Sequence, residues 1–247
     1  MSKTKAFFIH FGVSLMVVST LLAVMLLLWY PQPYFKAFEA LDIIKVLIGV
    51  DLVLGPALTL VVYKPAKKSL WFDMSCIAAL QVAALIYGTA VIYQQRPYFV
   101  VFAADRFEIL ARSEVDEAEI DSPALRDKPW GRPILAVAKM PEDPQARRQL
   151  IEETLFGGKP DIERRPALWR PYASEQRQVL NRARPLQELE TSQPATGATV
   201  RAMTERYGTA LKYVPVIGKT RAYALVLEPD TLRPVDIIDA DPFGGSG

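Results

Sequence analysis

One carboxylate is the strongest candidate for chemistry, because Asp51 lies within the apolar stretch from Val46 to Pro56. An aspartate near the centre of a membrane helix costs about 2.5 to 3.5 kcal/mol on insertion scales, so it must be paired or protonated, facing other helices or a wet crevice. Pro56 removes one backbone hydrogen bond about one turn away and predicts a kink with Gly55-Pro56 as the hinge. Asp51 is therefore either a partner-recognition or proton-linked group, or a structural residue bonded to Gln81, Tyr87 or a backbone group.

Small residues recur at helical spacing in a later apolar stretch, where they let helix backbones approach each other. These stripes predict either packing within the chain or docking of a transmembrane helix from another protein. Gln81 lies on a different side and is able to bond across a helix interface for about 0.6 kcal/mol. Ten residues together form the candidate helix-contact or intramembrane polar site: Asp51, Gly55, Pro56, Ser75, Ala79, Gln81, Ala83, Ala84, Tyr87 and Gly88.

The chain offers little for catalysis or for metal binding. Its one histidine, His10, and its one cysteine, Cys76, lie in apolar stretches, so no internal disulfide forms and the second half has neither residue type. Gly218-Lys219-Thr220 resembles the end of a phosphate-binding loop, but the earlier glycine would fall at Tyr213. We expect no catalytic residues, no cofactor, no metal and no enzyme activity. A membrane-anchored enzyme stays an alternative, since carboxylates also converge without a local motif.

Charge divides the chain into two parts that suit different solvents. Residues 1–93 contain seven Lys or Arg and four Asp or Glu, whereas the remaining residues contain 22 basic and 23 acidic ones. Basic and acidic residues are interspersed in the second part, so nucleic acid is not expected as a partner. Domains are predicted at 1–95, a three-helix transmembrane region with membrane lipids around it, and at 96–247.

Three membrane spans are predicted, at about 6–30, 43–63 and 70–93. The first apolar run is about 37 Å long as a helix, enough for a hydrocarbon core of about 30 Å and too long for a signal peptide. Lysines gather at one set of ends, and the positive-inside rule then places the N-terminus in the cytoplasm and the second domain outside. These topology determinants are Lys3, Lys5, Lys64, Lys67 and Lys68.

The second domain is predicted to be α+β with a mainly antiparallel sheet. Helices are predicted from Asp143-Pro144 to Phe156, after Ser174 and at 196–207, with the first opened by an N-cap and a proline. Strands are predicted at 98–102, 105–110, 133–138, 212–217, 222–227 and 235–238.

Residues 1 to about 110 resemble the TfpX/TfpZ family of type IV pilin accessory proteins. The resemblance is carried by GVDLVLGPALTLVVY at 49–63 and by Lys67-Lys68, Asp73, Gln81, Ala84–Gly88, Arg96-Pro97 and Val101–Phe107. It implies a bacterial inner-membrane, chaperone-like protein with a periplasmic domain, which supports the stability, the assembly or the pilus dynamics of a cognate pilin. Implied partners are that pilin and other pilus-assembly proteins. The alternative from a different class is a periplasm-facing membrane sensor.

Overall fold

The computed structural model describes residues 2–38, 40–64, 67–126 and 131–243, with side chains except at 38 and 40–43. Two compact units are present. The first comprises Met1–Tyr30 and Glu39–Arg96, and the second comprises Pro31–Phe38 and Pro97–Gly247. Pro65 and Ala66, between the second and third predicted spans, and the tail at 244–247 lie outside the described residues.

Three helices of the first unit are long and apolar enough to cross a membrane, at Lys3–Trp29, Ile44–Val62 and Leu70–Gln94. A helix long and apolar enough to cross a membrane is thus present at each of the three predicted spans. Helix α1, Lys3–Val24, is capped by the Ser2 hydroxyl, which accepts from the Lys5 amide at 3.2 Å, and it continues as a π-helix over Met25–Trp29. Helix α4 is the third span, Leu70–Gln94.

The second span is irregular around its proline. Helix α2, Ala40–Ile48, passes into a π-helical segment, Gly49–Leu54, before helix α3, Gly55–Val62. Pro56 has no N–H to donate, and the preceding turn is widened so that the Gly55 N–H reaches the carbonyl of Val50, five residues back. A π-helical segment thus directly precedes Gly55-Pro56, and the kink predicted at that hinge stays a prediction. Helix α1 packs along α3, and α3 packs against α4.

Eight described strands form one sheet in the second unit. They are β1 Pro97–Ala103, β2 Arg106–Ala111, β3 Ile134–Ala138, β4 Trp169–Pro171, β5 Arg184–Pro185, β6 Lys212–Ile217, β7 Ala222–Leu227 and β8 Pro234–Ile238. Their order is β4-β3-β1-β2-β6-β7-β8, and β5 pairs with β6. All six predicted strands are present, whereas β4 and β5 were not predicted because they have three and two residues.

The sheet is mixed, so the prediction of a mainly antiparallel sheet was wrong. Strands β1 and β2 form an antiparallel hairpin at the centre, but β3 runs parallel to β1 and β6 runs parallel to β2. Parallel neighbours require a long crossover. The chain between β1 and β3, residues 104–133, and the chain between β2 and β6, residues 112–211, are each long enough for one. The period of a strand does not reveal which strand it will join. Every residue of β1 is buried, as a central strand requires.

Helices cover the sheet of the second unit. They are α5 Pro123–Arg126, α6 Pro144–Leu155, α7 Tyr172–Leu180, α8 Leu186–Ser192 and α9 Gly197–Tyr207. Asp143 caps α6 as predicted, since its carboxylate accepts from the Ala146 amide at 3.0 Å. One core joins Leu150 of α6 to Phe99 of β1, and another joins Leu189 of α8 and Val200 of α9 to β6 and β7.

The connector between the first two spans is fixed to the edge of this sheet. The Lys36 ammonium donates to Asp236 Oδ1 at 3.1 Å and to the Ile237 carbonyl at 3.3 Å. The Lys219 amide donates to the carbonyl of Ala37 at 3.2 Å, and Ala37 is completely buried. The connector therefore has hydrogen bonds within the second unit, and it buries Pro33, Tyr34 and Ala37 there.

Gly218 leaves room for this connector, and Gly218→Ala should release it. A Cβ at position 218 would lie 2.6 Å from the Ala37 carbonyl oxygen, which is backbone and has little freedom to move. Overpacking of this kind costs about 1–3 kcal/mol, so trypsin cleavage after Lys36 should accelerate at least about fivefold. The rate is measured on the detergent-solubilised protein by mass spectrometry of the fragment that ends at Lys36.

Gly12→Ala is the matched control, because a Cβ at Gly12 meets no atom within 4 Å. It should leave the cleavage rate after Lys36 unchanged. Equal cleavage rates for Gly218→Ala and the unmodified protein would show that the connector is not held by this close approach.

Candidate functional site in the membrane region

Asp51 occupies the π-helical segment of the second span and is turned to the interior of the first unit. Only 6% of its surface is exposed, although it is a charged residue in a helix apolar enough to cross a membrane. Among the described residues its carboxylate has no hydrogen bond or ion pair, including with Gln81 or Tyr87. Burial without such a partner is costly for a carboxylate and is typical of functional positions in membrane proteins.

A groove between the second and third spans opens onto Asp51. Its volume is about 530 Å³, and apart from Asp51 and Tyr87 its walls carry only small or aliphatic residues. The second span contributes one wall and α4 contributes the other. The lining residues are Val46, Leu47, Val50, Asp51, Ala84, Tyr87, Gly88, Val91 and Ile92.

Four of the ten residues predicted from the sequence meet at this groove: Asp51, Ala84, Tyr87 and Gly88. Ala84 and Gly88 are four residues apart, so they present a small-residue surface on one face of α4. Tyr87 lies at the rim with 74% of its surface exposed. The structure therefore combines a buried carboxylate, a small-residue wall and an aromatic rim in one place.

Gly55 and Gln81, also predicted, meet beside the groove where α3 packs against α4. A Cβ at Gly55 would lie 1.9 Å from Gln81 Nε2, so the glycine makes room for the amide side chain. Pro56 is buried next to it. Gly55 thus has a packing role in addition to its place beside the proline.

The remaining predicted stripe lies away from the groove. Ser75 is half-buried, and Ala79 and Ala83 are exposed. None of the three lines the cavity. Their part in contacting another helix stays a prediction.

Two residues that the sequence analysis did not place in the site form a polar link between spans. His10 Nδ1 of α1 lies 2.5 Å from the Thr59 hydroxyl of α3, and that hydroxyl lies 3.2 Å from the Gly55 carbonyl. Both bonds are made when the Nδ1–H donates to Thr59 and Thr59 donates to Gly55. His10 is also within electrostatic range of Asp51. The available signal was a polar residue in each of two apolar stretches, since such residues bond across membrane helices.

The lysines predicted to set topology lie at helix ends. Lys3 and Lys5 are exposed at the start of α1, Lys64 is exposed after α3, and Lys67 and Lys68 are exposed before α4. Lys67 pairs with Asp73 in the first turn of α4. These positions fit charges that lie outside the hydrocarbon.

A second cavity, of about 440 Å³, lies in the other unit beside α6, but its charged groups bind one another. The Glu153 carboxylate accepts from Arg165, Gln149 and Lys159, and these bonds lower its pKa to about 2. Arg164 donates to Glu108 and Glu114. In the described part of the chain, no three His, Cys, Asp or Glu side chains are grouped to hold a metal ion.

Known proteins with similar sequences share one description. The family model of the fimbrial assembly protein FimB matches residues 1–38. The fimbrial assembly protein of serogroup I from Dichelobacter nodosus is 34% identical over 183 residues, which is 72% of this chain and 70% of that protein. The serogroup E1 protein has the same identity and coverage, and the protein of serogroups C1 and C2 is 37% identical over 109 residues, 43% of this chain and 83% of its own. No solved structure matches.

The His10–Thr59 link should stabilise the membrane unit measurably. Thr59→Val keeps the shape of the side chain but removes its hydroxyl, and interhelical bonds of this type in membranes average about 0.6 kcal/mol with a maximum of about 1.7 kcal/mol. Thr59→Val should therefore lower the free energy of unfolding by about 0.6 to 1.7 kcal/mol. The free energy is measured by titration with sodium dodecyl sulfate.

Thr20→Val serves as the matched control, because among the described residues the Thr20 hydroxyl bonds only to the Met16 carbonyl of its own helix. It should change the free energy of unfolding by less than about 0.5 kcal/mol, as is usual for surface substitutions. If both variants lose the same stability, the link between α1 and α3 does not contribute.

Proposed function

The chain belongs to the FimB family of fimbrial assembly proteins, and from this premise we propose that it is a membrane accessory protein that binds a cognate type IV pilin and supports its assembly into a pilus. The resemblance of residues 1 to about 110 to TfpX/TfpZ pilin accessory proteins supports the same proposal. The observation that carries it is the groove beside Asp51. A bundle that only anchored a domain would have no use for a buried carboxylate in an apolar groove.

The groove suits a transmembrane helix of a client protein. Ala84 and Gly88 allow a second backbone to approach α4 closely, while Val46 and Val50 supply apolar contacts on the opposite wall. Its exposed rim residue, Tyr87, is placed to cover an occupant. In this proposal the pilin helix lies in the groove until the pilin is passed to the growing pilus.

The second unit supplies a surface for the soluble part of the same client. Helix α6 ends in an apolar group that is open to solvent, formed by Ile151, Leu155 and Phe156. Phe156 is 85% exposed, which is unusual for a phenylalanine unless it is covered by a partner. We assign this group, named the α6 patch, to contact with the pilin head.

The proposed location is the bacterial inner membrane, with the N-terminus in the cytoplasm and the sheet domain in the periplasm. The basic ends of the spans support this orientation under the positive-inside rule. A pilin that awaits assembly in the same membrane would then meet both the groove and the α6 patch. The action is chaperone-like, because the client is held without a chemical step.

Site-specific crosslinking tests the proposal directly. A photo-crosslinking amino acid at position 87 or 156, in cells that make the cognate pilin, should capture pilin. At position 86 it should not, because Ile86 is also exposed but is turned about 100° away from Tyr87 and lies outside the groove. Captured protein is identified by an antibody to pilin and by mass spectrometry.

Capture of pilin at neither position 87 nor position 156, with normal protein levels, would overturn the proposal. Equal capture at positions 86 and 87 would remove the groove as the binding site. Capture at position 156 alone would limit the contact to the pilin head.

A further inference from the structure

We infer that the groove between the second and third spans selects a transmembrane helix that brings a hydrogen-bond donor to Asp51. The inference rests on the proposed function for the origin of the helix, but its chemistry follows from the groove. The donor is a hydroxyl, an amide or an amine on the face of the partner helix that enters the groove.

The carboxylate is the first argument. Asp51 lines the cavity and is more than nine-tenths buried, yet it has no hydrogen-bond partner among the described residues. A buried carboxylate gains more from one donor than any apolar residue at this position would gain from a contact. An occupant that supplied only apolar surface would cover Asp51 and leave it without a partner.

None of the nearby polar side chains that the structure describes in this unit bonds Asp51. His10 Nδ1 is bonded to Thr59, and the Thr59 hydroxyl is bonded to the Gly55 carbonyl. Gln81 lies against Gly55 and does not bond Asp51. Tyr87 also lines the groove, but its hydroxyl has no hydrogen bond to Asp51 in the described structure. We therefore assign the donor to an occupant of the groove.

The depth of Asp51 distinguishes a helix from a lipid. Asp51 is seven residues into the span that begins at Ile44, which places it about 10 Å from that end at 1.5 Å per residue. Lipid headgroups carry their donors at the surface, and acyl chains carry none. A side chain on a transmembrane helix carries a donor to this depth and also fills the apolar remainder of the groove.

The small-residue wall strengthens the same conclusion. Ala84 and Gly88 line the cavity opposite Asp51, so a partner backbone has room beside α4 while its side chain points across to the carboxylate. Close approach matters because a hydrogen bond between helices requires a heavy-atom distance of about 2.7 to 3.2 Å.

The test uses the full chain in phosphatidylcholine nanodiscs, since that headgroup has no N–H or O–H donor. Two synthetic transmembrane helices of alanine and leucine are compared, with Thr or Val at the position that lies about 10 Å from the membrane surface. These side chains have the same shape and differ in the hydroxyl. Cys76 is the one cysteine of the chain and is exposed on α4, so a fluorophore on it reports peptide binding by energy transfer.

The Thr helix should bind the unmodified protein about threefold to fifteenfold more tightly than the Val helix, as single hydrogen bonds between membrane helices allow. Asp51→Leu should abolish the difference, and Asp51→Asn should retain part of it. Asp73→Asn is the matched control, because Asp73 pairs with Lys67 outside the groove and should leave the preference intact.

Equal binding of the Thr and Val helices to the unmodified protein would overturn the inference, and this comparison needs no variant to fold. A Thr preference that survives Asp51→Leu would also overturn it. Crosslinking of one copy of the chain to another through position 87 would overturn the inference as well, because the groove would then be occupied by a second copy. This experiment contains no pilin, so its result is independent of the crosslinking experiment. A Thr preference without capture of pilin by crosslinking would refute the proposed function alone. Capture of pilin without a Thr preference would refute this inference alone.

Discussion

The organisation of the membrane unit depends on one missing backbone donor, the N–H that Pro56 lacks. In hydrocarbon no water is present to replace a lost backbone bond, so the helix itself must accommodate the gap. Just before the proline, the π-helical segment Gly49–Leu54 keeps the Gly55 amide bonded, since it donates to the Val50 carbonyl five residues back. The Gly55 carbonyl receives the Thr59 hydroxyl in turn. The extra residue of a π-helical turn also changes which side chains face inward, and Asp51 is among those turned to the interior.

The two polar positions of this span therefore have different physical roles. Thr59 is fully buried and satisfied by bonds within its own helix and to His10. Asp51, two turns earlier, faces a cavity and has no such bond in the described part of the chain. A polar residue that serves packing should resemble Thr59, because an unsatisfied group weakens the fold that contains it. Asp51 has the features of a group whose partner is supplied by another molecule.

The positions of the helices and strands were predictable from local sequence patterns, whereas the pairing of the strands in the sheet was not. Apolar length located the three spans, and Asp143-Pro144 located α6, because these signals lie in neighbouring residues. The parallel pairing of β1 with β3 joins residues across a long crossover, and no local period encodes it. Within the candidate site, Asp51 was identifiable from the sequence because an aspartate is costly to insert into a membrane helix. Its meeting with Ala84 and Gly88, and the bond between His10 and Thr59, depend on how helices pack and on the π-helical segment.

Selectivity is the difficulty that any client-binding groove in a membrane has to overcome. Lipid tails are as apolar as leucine, so apolar contact alone barely distinguishes one helix from another or from lipid. Specificity is a difference between affinities, and it is gained as much by penalising the wrong partner as by rewarding the right one. A buried carboxylate rewards the right partner, because a helix with a donor forms a hydrogen bond to it. It also penalises the wrong partner, because a purely apolar helix buries the carboxylate without any hydrogen bond. The insertion cost of Asp51 is then what allows an otherwise apolar groove to choose among helices.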